Sequence, residues 1–113
     1  SGTASSTGIT ASITPSTTSS KILILATVGA SYVTSGSQGV FYIYRGGSQL
    51  GGTACQLYGA ASAVETNNSF EYLDSPATTS STTYTIYLAS NTGTIYSCVN
   101  NATSAITLLE IAA

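Results

Sequence analysis

Few side chains in this 113-residue sequence could do chemistry. Serine and threonine number 19 each, but a serine nucleophile needs a base such as histidine, and the chain has none. The four carboxylates, Glu65, Glu71, Asp74 and Glu110, could pair as acid and base on a sugar. Glu71 alternates with Phe70 and Tyr72, so it reads more simply as the solvent side of a strand. Asp74 and Glu71 with backbone oxygens could hold calcium. Asp74-Ser75-Pro76-Ala77, however, has the composition of a turn. Zinc needs three or four ligands, which two cysteines without histidine do not supply. No enzymatic activity, metal or cofactor is therefore expected. Cys55 and Cys98 permit one disulfide, which would contribute about 4 kcal/mol by closing a long loop. Two buried free thiols packed as small apolar residues are the alternative. Asn67-Asn68-Ser69 and Asn101-Ala102-Thr103 match the glycosylation acceptor pattern, which matters only in a protein that a eukaryote secretes.

Binding is the stronger chemistry. Eight of the ten aromatic residues are tyrosine, a flat apolar ring with a polar tip and few rotors to freeze. Tyr32, Tyr58 and Arg45 lie beside Gly- and Ser-rich loops and are the candidates for ligand contact. Tyr42, Tyr44, Tyr84, Tyr87 and Tyr96 sit inside strand patterns and read as sheet and interface packing. Lys21 and Arg45 are the only cations, too few to neutralise a run of phosphates, so nucleic acid is not an expected partner. No run of 18 apolar residues exists, so no membrane insertion by a helix is expected. The polar start lacks the plan of a signal peptide and has no Met. It reads as a processed chain or as the C-terminal piece of something longer.

The elements that must position these residues are strands. Residues 42% hydrophobic and only 5% charged, rich in β-branched side chains and tyrosine, disfavour charged helices. Turn residues punctuate the chain at sandwich-like spacing. Alternation or apolar runs predict strands over 9–14, 21–30, 40–45, 49–58, 69–73, 82–89, 94–99 and 105–111. Pro15 stops the first strand, Gly46-Gly47-Ser48 makes a hairpin turn, and Gly51-Gly52 marks a bulge. Residues 60–64 are the one place for a helical turn. The expected fold is all-β: an antiparallel two-sheet jelly-roll-like sandwich of about eight strands. One domain is expected, with residues 1–8 as an N-terminal extension and 9–113 as the core.

The sidedness of these strands decides more than any motif. A sandwich strand needs one apolar face. The strands at 21–30, 40–45 and 105–111 carry large apolar groups on both. Ile22, Ile24, Phe41, Ile43 and Leu108 can fill the sandwich. Leu23, Leu25, Tyr42, Tyr44, Leu109 and Ile111 then need a second cover, because several such side chains exposed together form a sticky patch. A copy of the same sheet around a symmetry axis is the simplest cover. A partner protein or a short helix is the alternative.

Three stretches carry a resemblance: the one opening Ile13-Thr-Pro-Ser-Thr-Thr, then Tyr72-Leu-Asp-Ser-Pro-Ala-Thr-Thr, then Ser104-Ala-Ile-Thr-Leu-Leu-Glu-Ile. In order and spacing the chain resembles a family of C-terminal domains from phage tail fibres and related virion proteins, common in phages of aquatic bacteria. The likeness spans most of the chain, with residues 33–66 as a variable, Gly- and Tyr-rich middle. It implies a jelly-roll-like homotrimer at the virion surface, extracellular, recognising a host-surface receptor, glycan or protein, beside other virion proteins. A capsid-decorating or filament-forming subunit is the second reading. It predicts that residues 1–14 dock on a neighbour by strand addition.

Overall fold

The computed structural model describes residues 3–97 and 102–113, and they form two antiparallel sheets packed face to face. The strands are β1 (Ser5–Ile13), β2 (Lys21–Val33), β3 (Ser37–Arg45), β4 (Ser48–Gly59), β5 (Val64–Asp74), β6 (Thr82–Thr92), β7 (Ile95–Tyr96) and β8 (Ala105–Ile111). Sheet A has the order β1-β6-β3-β4. In sheet B, β2 is central: β5 lies on one side, and β8 and then β7 pair along the other. The fold is thus an eight-stranded all-β sandwich, elongated at 48 × 26 × 19 Å.

β-Branched and aromatic residues at alternate positions build the core. Ile22, Ile24 and Val28 of β2 meet Phe41 and Ile43 of β3 and Tyr84 and Ile86 of β6, each at most 1% exposed. Phe41 stacks on Phe70 across the gap, with ring centroids 5.8 Å apart. Each such side chain contributes about 1.5–3 kcal/mol by leaving water. Leu108 of β8 is half-buried against this cluster.

Two irregularities set which way side chains point. In β2 the register slips between Val28 and Ser31, where Ala30 has φ 40°. Even-numbered residues face the core before this bulge, and Ser31 and Val33 face it afterwards. The Asn67 side chain fixes the bulge by accepting a hydrogen bond from the Ala30 amide at 2.7 Å. In β4, residues 51–54 form the wider bulge expected of Gly51-Gly52, because Phe41 pairs with Cys55 while Ile43 pairs with Leu50.

Two expectations need correction. Residues 60–62 are bends rather than a helical turn. One turn of Ala-Ala-Ser cannot meet the cost of helix nucleation, and the segment is short because it crosses between sheets. The first strand starts at Ser5, so residues 5–8 belong to sheet A and not to an extension. A bulge between Ser6 and Thr10 breaks the alternation there, with Gly8 at φ 82°. This strand pairs with β6 of its own chain.

Gly59 closes one end of the sandwich. A Cβ there would lie 2.6 Å from the Thr34 carbonyl oxygen, which is backbone and cannot step aside. Gly59→Ala should therefore destabilise the fold by about 1–3 kcal/mol. Urea unfolding would measure this, and a midpoint equal to the parent's would show that the loop yields.

Candidate functional site

Three arrangements bear on function: a polar latch between the sheets, and the two outer faces. The latch joins residues far apart in sequence. Arg45 ends β3, Tyr84 pairs with it from β6, and Asp74 ends β5 in the opposite sheet. Arg45 Nη1 donates to Asp74 Oδ1 and Oδ2 at 2.8 and 2.7 Å, and the Tyr84 hydroxyl donates to Oδ2 at 2.6 Å. Asp74 and Tyr84 are buried, whereas the Arg45 side chain is 35% exposed. Hydrogen bonding to Asp74, opposed by burial, raises the Arg45 pKa. Burial first, and then the bond to Asp74, push Tyr84 well above the ordinary tyrosine range.

Because the folded state holds the Tyr84 proton more tightly than the unfolded chain, this stability is present below the ordinary tyrosine pKa of about 10 and lost as pH rises beyond it. The expected slope is about 1.4 kcal/mol per pH unit. Tyr84→Phe should remove it, as urea midpoints between about pH 8 and about pH 11 would show. An unchanged alkaline slope would place the effect elsewhere.

The outer face of sheet B is laid out in cross-strand rows. Leu73, Leu23 and Leu109 stand side by side on β5, β2 and β8. Leu73 is 50% exposed, and Leu109 and the adjoining Ile111 are 44% exposed. The next row is Glu71, Leu25 and Thr107, and the next is Ser69, Thr27 and Ala105. These smaller side chains leave a shallow depression of about 380 Å³ beside the leucines. Beyond the bulge, Glu65, Tyr32 and Tyr96 form a last row, with the Tyr32 and Tyr96 rings 6.2 Å apart.

The outer face of sheet A carries Tyr42 and Tyr44 on β3 and Tyr87 on β6, all half-buried. Tyr44 and Tyr87 stack with centroids 3.9 Å apart. Thr10 and Ser12 of β1 hydrogen-bond Thr85 and Thr83 of β6 alongside them.

The residues singled out from sequence therefore do not converge. The six expected at one interface divide between opposite sides of the sandwich: Leu23, Leu25, Leu109 and Ile111 on sheet B, Tyr42 and Tyr44 on sheet A. Alternation fixes inside against outside, but the pairing of strands decides which outside. Tyr32 lies on sheet B beside Tyr96, and Tyr58 lies on sheet A, 65% exposed. Arg45 is at the far end of β3, about 25 Å along the strand from the Tyr58 row, and turned inward to Asp74. The latch carries no spacing signal, since its members lie 29 and 10 residues from Asp74.

In comparisons with family models, curated proteins and solved structures, nothing matches the chain. Among the described residues, no three His, Cys, Asp or Glu side chains group where they could hold a metal ion. Glu71 is exposed on sheet B, and Asp74 is enclosed by Arg45 and Tyr84. Glu110 accepts from the Ser16 amide at 2.6 Å and the Ser16 hydroxyl at 2.7 Å, which holds its carboxyl below the usual range. It pins the loop after β1 to β8. Burial pushes the Cys55 thiol up, and that side chain contacts the Asn68 amide oxygen. The Cys55 pairing with Cys98 and the acceptor at Asn101 lie outside the described residues. Asn67 is exposed, with its amide oxygen already bonded to Ala30.

Proposed function

We propose that the chain is a structural module of a virion surface, a tail-fibre tip that associates with copies of itself and contacts a host-surface receptor. The observation that carries the assembly part is the Leu73, Leu23 and Leu109 row with Ile111 beside it. Exposed leucines spread singly over a surface need no explanation, but a continuous row across three strands is an interaction site. Copies arranged around an axis cover the row without any other partner, and the depression beside it can take a protruding side chain. The virion setting, the threefold symmetry and the receptor come from the resemblance of the turn and strand motifs. The filament-forming reading has less support, since β1 pairs within its own chain. The test is mass in solution. The chain should sediment as a multiple of 11.4 kDa, with Leu23→Asp falling to the single-chain mass. Equal masses for the two would remove the reading.

A further inference from the structure

We propose that the outer face of sheet A is a binding platform for an uncharged polysaccharide. The inference rests on the assembly reading in one respect, that self-association uses sheet B and leaves this face free. Its residues follow from the register. Tyr42 and Tyr44 of β3 face Tyr87 and Thr85 of β6. On the other side Tyr44 pairs with Gln49, Val40 with Gln56, and Gln38 with Tyr58. The face thus presents four tyrosines among glutamines and hydroxyls along about 20 Å of strand, the span of an extended polymer and not of one small molecule.

The charge distribution selects the ligand class. Of the chain's six charged side chains, Lys21, Glu65, Glu71, Asp74 and Glu110 belong to strands of sheet B. The sixth, Arg45, is on sheet A but turns inward to Asp74. An anionic or cationic polymer would find no counter-charge on the tyrosine face. A neutral sugar chain offers what the face can use. Its C–H surfaces pack on aromatic rings, and its hydroxyls bond amide and hydroxyl groups that both donate and accept. The Tyr44 and Tyr87 rings already hold each other in place, which lowers the entropy lost when a ligand settles on them. Tyr58, 65% exposed, extends the aromatic surface toward the end of the sandwich.

Native gels cast with dextran, laminarin, galactomannan or the anionic polymer alginate give the test. The full chain should be retarded by at least one neutral polymer and not by alginate. Tyr58→Ala and Tyr42→Ala should each weaken that retardation about tenfold, with mass and unfolding midpoint close to the parent's. Retardation that survives in Leu23→Asp would also support the platform, and would separate it from self-association. No retardation by any neutral polymer, equal retardation by alginate, or undiminished binding by both tyrosine variants would overturn it. So would a loss of assembly in Tyr42→Ala or Tyr58→Ala, because the face would then be a contact between copies. A monomeric wild-type chain that neutral polymers still retard would sink the assembly reading and leave this one standing.

Discussion

Asp74→Ala should lower the unfolding free energy by about 3 kcal/mol. The carboxylate holds both Arg45 and Tyr84, and it reaches them from the opposite sheet. Its removal leaves the Tyr84 hydroxyl inside the sandwich, where an unmet donor costs about 1–3 kcal/mol. Arg45 loses less, because its side chain is 35% exposed and can turn to water. Arg45→Ala should cost about as much, by stripping a buried carboxylate of its counter-charge. Tyr84→Phe should cost less, about 1–2 kcal/mol, since the ion pair survives it. Thermal unfolding reads this order directly. In a domain of this size 3 kcal/mol is a shift of about 12–20 °C. A loss under about 1 kcal/mol for Asp74→Ala would mean that the latch is ornamental and that apolar packing alone holds the sheets.

The second large effect concerns mass. Leu23 is the middle of the leucine row, flanked by Leu73 and Leu109. Leu23→Asp removes an apolar side chain from the proposed contact and buries a carboxylate in its place, with Lys21 of the same strand face the one cation near it among the described residues. The two losses together come to about 3–5 kcal/mol per copy, or roughly 10²–10⁴ in the association constant. The isolated fold should scarcely notice, because Leu23 points away from the core that Ile22 and Ile24 fill. Thr83→Asp, which adds the same charge to the exposed outer face of sheet A, should leave the mass unchanged. Dissociation by both substitutions would trace the effect to net charge and not to the leucine row.

What sequence reveals here follows from local pattern. β8 occupies Ala105–Ile111 as its apolar run predicts, and Gly46-Gly47 makes the two-residue turn between β3 and β4. The core residues of β2 and β3 are those that alternation turns inward. The first half of β5 has no such pattern. Val64 and the polar run after it become strand because the far end of β2 supplies a partner, with Ser31 pairing Thr66 and Tyr32 pairing Glu65. The division of outward residues between two faces is likewise a property of topology. Tyr42 and Leu23 look alike in their alternation, yet lie on opposite sides because β3 and β2 belong to different sheets. The latch is the least legible feature. Asp74 reads as a turn former, Arg45 as a loop-side ligand contact and Tyr84 as one more strand tyrosine, and only the packing of two sheets makes them neighbours.

Sedimentation equilibrium of the 113-residue chain tests the covering of the leucine row most directly. The expected result is a particle weighing a small multiple of 11.4 kDa, three copies if the tail-fibre resemblance holds, and stable on dilution to about 1 µM. A single 11.4 kDa species at concentrations up to about 100 µM would contradict the account, for the leucines would then face water without harm.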